Sequence, residues 1–485
     1  MKHLSAATLG SLPTTVTVPN YQLAEVTASI LHFGVGNFHR AHQAVYADNL
    51  LRKGIKNSGI VGVSLRSSKM RDELIQQDFL YTVATLDTPT TYRVIGAIKN
   101  ILVAPEDPQR VIDQVADENI TLITTTITEK AYLLKDGDVD FTADAVSCDL
   151  ANPTSPKTIY GFIAAGIQAR YHTSATPITI LCCDNIQDGG AKLRAGVSHL
   201  LKQFAPLAHA WMQENVSFIS SMVDRITPAT TPEIIAETQD ALTLTDASPV
   251  PAETYTQWVI EDNFVSPAPP FAEAGAILVP SITEYETIKL RFLNAAHSIL
   301  ATIGYLCQDE YIHETMQRKA VKDFTERLLR EELISITDAP AGIDLDAYIS
   351  QTLARFAQPK IPYRVLQVGS DTSLKIQQRW FPALDKLIQN KQQSSRFAFI
   401  LAAWVVFIER TMADETMNDP AKNTFLALQN SPTSDPIMDV LAVANANHFS
   451  FSTDAKFMHE VAIHYHEIGQ SSILTLINKL NAKAD

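Results

Sequence analysis

Two hydrophobic patterns divide the chain. Before residue 284, short and nearly continuous apolar runs alternate with helical stretches, as expected of strands buried on both faces of a parallel sheet. Such runs occupy residues 29–33, 59–65, 79–86, 91–98, 120–128, 177–183, 216–223, 257–262 and 276–279, behind an irregular leader (1–27) that carries Pro13 and Pro19. Helical composition falls at 41–51, 107–116 and 159–170. From Glu284 onward the period is helical, broken by Pro- and Gly-bearing turns near 339–342 and 358–362. The pattern predicts an α/β fold in two domains, 1–283 and a mainly α-helical 284–485. A length of 485 residues also exceeds one ordinary core.

The first run leads into Gly34-Val35-Gly36-Asn37-Phe38-His39-Arg40, and a helix follows. Strand, glycine turn and helix form the first half of a Rossmann-type dinucleotide-binding unit. Its glycines let the backbone approach a pyrophosphate, which the helix N-terminus attracts. His39 stands where the usual fingerprint has its third glycine, and Arg40 is a candidate for phosphate charge or a plain surface arginine. The second run ends in Arg66-Ser67-Ser68-Lys69, where NAD-selective folds place an acidic residue on the ribose hydroxyls. Its absence leaves NAD and NADP both open. Asp184-Asn185 and Asp224-Arg225 stand at later strand ends; the first pair is placed to face a cofactor or substrate, with a helix cap as the plainer role. His39 and His42 have no third ligand nearby in sequence and are not read as a metal site.

The stretch Tyr285 to His297 reads as one helix. At roughly 100° per residue, Glu286, Lys289 and His297 fall within roughly 80° of one another, with Asn294 roughly 60° further round. A carboxylate, an amine, an imidazole and an amide therefore share one side of a helix otherwise filled by Ile288, Leu290, Phe292, Leu293 and Ala295. Charges among apolar neighbours must be paired or shifted in pKa, and a desolvated lysine can act as a general base near neutrality. Spacing alone leaves an i,i+3 surface pair and a core histidine as the plainer reading.

With 46% hydrophobic and 19% charged residues, the composition is that of a packed globular protein. A net charge of −14 opposes binding to nucleic acid or anionic membrane. Cys148, Cys182, Cys183 and Cys307 lack C-x-x-C spacing, and the adjacent pair reads as buried strand rather than a redox or zinc site. No apolar stretch follows Met1 to Ser5 as an export signal requires, and the longest apolar run, Phe397 to Ile408, is too short to span a bilayer. A soluble, cytoplasmic protein is expected.

These residues also carry a resemblance. Phe33 to Gln43 resembles the N-terminal signature of the mannitol dehydrogenase family, zinc-independent long-chain polyol dehydrogenases that include fructuronate reductases. The match continues through Thr128-Glu129-Lys130, Cys183-Asp184-Asn185, Met222 to Pro228, Gln257 to Asp262 and Lys289-x4-Asn294-x2-His297. It extends to His313–Met316 and Gly342–Leu345, so nearly the whole chain is covered. The resemblance implies metal-free hydride transfer between a polyol C2 hydroxyl and a nicotinamide, NAD by family habit. It makes Lys289 the general base, Asn185 and Asn294 the oxyanion donors, His297 the group that positions the hydroxyl, and Glu286 the relay of the proton to water. It assigns cofactor contact to Phe33, Gly34, Gly36, Asn37, Phe38, Arg40, Glu129 and Asn185, to which Arg66 and Ser67 are added by their place at the second strand's end, where they could welcome a 2′-phosphate. Substrate contact falls to Asp224, Asn294, His297, Gln367 and Lys375.

Two departures bear on the substrate. The family's Asp-Gly-Ser-x-Lys segment appears as Asp371-Thr372-Ser373-Leu374-Lys375. Eight residues before that lysine, where mannitol-specific members resembling this chain carry arginine, stands Gln367. Gln367 leans toward uronate reductases, whereas the leader, His313–Met316 and Gly342–Leu345 lean toward mannitol. Conversion of D-mannitol to D-fructose is the first expectation and D-mannonate oxidation the alternative, in a monomer or homodimer. A silent dinucleotide-binding protein on the same scaffold would need none of the lysine, the asparagines or the histidine.

Overall fold

A computed structural model describes residues 2–135, 137–340, 342–430 and 435–482. The chain forms two compact units, Met1–Ile282 and Thr283–Asp485.

In the first unit an eight-stranded sheet runs in the order Ile277–Val279, Gln257–Glu261, Val216–Asp224, Ile178–Cys182, Leu122–Thr125, Ala28–Phe33, Gly59–Ser64, Ile98–Val103. The strands from Val216–Asp224 to Ile98–Val103 are all parallel, and Gln257–Glu261 joins them antiparallel. This is the doubly wound order, and its switch point lies between Ala28–Phe33 and Leu122–Thr125, where crossovers leave in opposite directions. Strand alternation sends Ile30 into one core and Leu31 and Phe33 into the other. Both faces are covered, which is why the strands read as continuous apolar runs.

The run 91–98 divides between two sheets. Thr91–Ile95 belongs to a second sheet with Val16–Thr17, Tyr81–Thr85 and Val250–Ala252, while Ile98–Val103 edges the main one. The break falls at Gly96, where a Cβ would meet Leu23 Cδ2 at 2.6 Å. The helix expected over 41–51 also starts earlier, at Asn37 directly behind Gly36, and is interrupted at His42.

The second unit is helical. The apolar run 397–408 forms the middle of helix Ser395–Ala413, which is buried along most of its length. The amides of Arg396 and Phe397 donate to Glu332 at 2.9 and 3.1 Å, so a carboxylate from another helix caps the end that carries partial positive charge. No helix among the described residues is long and apolar enough to cross a membrane.

Candidate functional site

In the first unit a cavity of about 590 Å³ opens at the switch point, lined by Gly34, Gly36 and Asn37 on one side and by Thr126 to Thr128 on the other. Gly34 has φ +99°, and a Cβ there would meet Thr126 O at 2.2 Å. Both conformation and close approach therefore demand glycine. Over Gly36 the space is open, with nothing nearer a Cβ than 4.0 Å. Such a backbone cradle ahead of a helix is what a pyrophosphate needs, so the residues present fit a dinucleotide. Arg66, Ser67 and Lys69 line the same cavity together with Glu73, which stands 3.9 Å from the Lys69 ammonium.

Arg40, expected as a phosphate arm or a plain surface arginine, lines this cavity and is buried. Its guanidinium is 1% exposed and donates to Ser248 O at 2.5 Å and to Asn37 Oδ1 at 2.7 Å, above the Tyr81 ring. It braces the cavity wall and orients Asn37. Four residues expected on the cofactor do not line this cavity. Phe33 points into the core because alternation along its strand sends it there. Phe38 stacks on His42 at 5.0 Å. Glu129 opens a short 3-10 turn and Asn185 lies in the bend after Ile178–Cys182, both exposed.

The missing third glycine is explained by a buried pair of rings. His39 stacks on His32 at 3.4 Å, and His32 is bonded to Thr124 Oγ1 at 2.7 Å and Thr126 Oγ1 at 2.9 Å. Burial pushes the His32 pKa down to about 3 and that of His39 well below the usual range.

In the second unit, Tyr285 to His297 is not one α-helix. Thr283–Ile288 is α-helical, Lys289–Asn294 is a π-helix and Ala295–Leu306 is α-helical again. Single π turns within α-helices are frequent at functional sites. The π segment begins at Lys289 and ends at Asn294; Lys289 and Glu286 are half-buried. Asn294 and His297 are 6% and 8% exposed, and Asn294 Nδ2 and His297 Nε2 have no hydrogen-bond partner among the described residues. Burial lowers the His297 pKa strongly, and Arg379, Arg355, Lys375 and Lys289 lower it further, so the imidazole is neutral. Its ring packs on Phe356 at 4.1 Å. Arg379 donates to Asn294 O at 3.2 Å and Ser298 Oγ at 2.9 Å, and Trp380 Nε1 donates to Ala295 O at 3.3 Å. Lys375, one turn before Arg379, bonds to Val368 O at 3.1 Å. Gln367 is exposed on the short helix Val365–Val368. Asp224, in the first unit, is buried at the end of Val216–Asp224.

The chain matches the model of the mannitol dehydrogenase Rossmann domain over residues 28–273 and that of the mannitol dehydrogenase C-terminal domain over 281–469. It belongs to the mannitol dehydrogenase family. It is 35% identical to a polyol:NADP oxidoreductase of Gluconobacter oxydans over 83% of this chain and 84% of that one. It is 32% identical to a mannitol 2-dehydrogenase of Aspergillus fumigatus over 96% and 95%. The solved mannitol 2-dehydrogenase of Pseudomonas fluorescens, a ternary complex with NAD and D-mannitol, is 31% identical with a TM-score of 0.87 over the full length of both chains. These relatives indicate a polyol dehydrogenase. Among the described residues, no group of three or more His, Cys, Asp or Glu side chains is arranged to hold a metal ion.

In this family member, sequence reasoning passed over Arg355 and Arg379, which set the charge around His297. The available signal was Arg379 four residues after Lys375, on the same helix face. The histidines beneath the glycine turn predict acid sensitivity. Below pH 6.5 the unfolded chain takes up protons that folded His32 refuses until about pH 3, so stability falls as pH drops through that window. From pH 6.5 to 5 His32 alone removes about 2 kcal/mol. Urea unfolding at pH 7 and pH 5 measures the loss, which shrinks in His32→Gln; an equal loss in that variant would exclude His32 as its source.

Proposed function

We propose that this polyol dehydrogenase interconverts D-mannitol and D-fructose, with Lys289 taking the C2 hydroxyl proton. The observation that carries the reading is the pair of buried nitrogens, Asn294 Nδ2 and His297 Nε2, without partners among the described residues, on the helix that also bears Lys289. An amide donor suits an oxygen gaining negative charge because it stabilises without titrating. Neutral His297 donates from Nε2 to a substrate hydroxyl. Glu286, one turn before Lys289, passes the proton to water. A bound nicotinamide would supply the acceptor for the hydride that leaves C2. Gly34, Gly36 and Asn37 would hold its pyrophosphate, while Asn185 and Asp224 are assigned to the substrate side of the reaction.

Arg66, Ser67 and Lys69 suit a 2′-phosphate, and Glu73 is the lone carboxylate among the residues lining that cavity. Both NAD and NADP are therefore proposed as cofactors. One observation favours a second substrate: four cations, Arg379, Arg355, Lys375 and Lys289, act on His297. That field would suit the carboxylate of D-mannonate, as Gln367 also suggests. Steady-state rates on a panel of polyols and aldonates, each run with NAD and NADP, decide between them. A higher kcat/KM on mannitol supports the first reading and a higher value on mannonate the second. Turnover of neither with either cofactor would overturn both.

A further inference from the structure

Asp184 stands at the carboxyl end of Ile178–Cys182, where it was expected to face ligand or cap a helix, yet its carboxylate turns inward and is 8% exposed. Oδ1 accepts the N–H groups of Ile127 and Thr128 at 2.7 and 2.9 Å. Oδ2 accepts the hydroxyls of Thr125 and Tyr132 at 2.9 and 2.7 Å. All four donors belong to one segment, residues 125–132, which supplies Thr126, Ile127, Thr128 and Ala131 to the cavity lining. Thr128 has φ 74° and ψ 151°, a region that glycine occupies freely and a β-branched residue does not. Its own amide is one of the groups the carboxylate holds. A strained conformation persists only where its surroundings over-determine it; here the Asp184 carboxylate binds the Thr128 amide directly, while His32 and Gly34 O hold the neighbouring Thr126 hydroxyl.

We propose that Asp184 is a positioning residue for the dinucleotide, a clamp that holds segment 125–132 in the shape that forms one wall of the cavity. It touches no ligand itself. Without the clamp, Thr128 relaxes toward the β region and carries the wall with it. The proposal rests on the reading of the cavity as the dinucleotide site.

The test is fluorescence titration of the full chain with NADH and NADPH, alongside the polyol KM at saturating cofactor. Asp184→Asn keeps one acceptor oxygen but sets an amide against two donors, so the dinucleotide Kd rises about tenfold or more. The polyol KM stays within about twofold, because that group acts only on the cofactor wall. Tyr132→Phe removes one donor from a residue that does not line the cavity, and raises the Kd by about threefold. Adding Thr128→Gly to Asp184→Asn recovers most of the lost affinity, since glycine adopts the conformation unaided. Wild-type protein that binds neither dinucleotide would overturn the cavity reading. Wild-type binding with unchanged affinity in Asp184→Asn would overturn the clamp, as would parallel loss of polyol affinity or no rescue by glycine. Should Asp184→Asn fail to fold, Tyr132→Phe decides: an unchanged Kd overturns the proposal.

Discussion

Lys289→Ala is expected to reduce polyol turnover by about 10²–10⁴-fold while dinucleotide affinity stays at the wild-type level. Oxidation of an alcohol removes a hydride from carbon and a proton from oxygen. An alkyl hydroxyl holds its proton far above neutral pH, so its oxidation needs a base placed to take that proton. The proposed base is the half-buried amine of Lys289 at the start of the π segment. Lys289→Arg separates a base from a mere cation. Arginine keeps the charge but cannot release its proton, so it should be as inactive as alanine. The pH profile of kcat/KM for oxidation should also lose its acidic limb, the fall at low pH that reports protonation of one base. Near-normal turnover in either variant would remove Lys289 from the mechanism.

The two ends of this chemistry were unequally legible in the sequence. Gly34, Gly36, Asn37, Arg66 and Ser67 line the cavity because strand, glycine turn and helix are local: a few consecutive residues fix where the backbone goes. Thr230 and Ser248 complete the cavity from far along the chain, and no local pattern announces them. Phe33 shows the opposite error, where membership of a motif was taken for contact although alternation along the strand turns the ring into the core. The π-helix was hidden for another reason. A change from i→i+4 to i→i+5 bonding leaves hydrophobic spacing nearly unchanged over a single turn. It is packing that accompanies it here, with Arg379 and Trp380 bonded to the carbonyls of Asn294 and Ala295. In that register Lys289 and Asn294 are one hydrogen-bonded turn apart, whereas the α wheel sets them roughly 140° apart. The π register thus brings positions 289 and 294 nearer to one side of the helix than the α wheel predicts.

Asn294→Leu is expected to lower kcat by about 10²–10³-fold and, unusually for a buried substitution, to leave stability unchanged or increase it. Asn294 Nδ2 is buried without a partner among the described residues, and such a donor costs about 1–3 kcal/mol in the folded chain. Leucine has a similar shape and no donor, so the folding penalty disappears with the amide. The proposed mechanism uses that amide, because the donor is stronger for an oxygen that is becoming negative than for the neutral hydroxyl. The loss should therefore fall on kcat with KM little changed. Asn294→Asp should be worse than leucine, since a buried carboxylate would repel the developing charge. Thermal unfolding and steady-state kinetics on the three proteins separate the alternatives. A site kept for function loses turnover and holds or gains Tm in the leucine variant; a merely structural asparagine loses both together, and that result would end the assignment of Asn294 to the oxyanion.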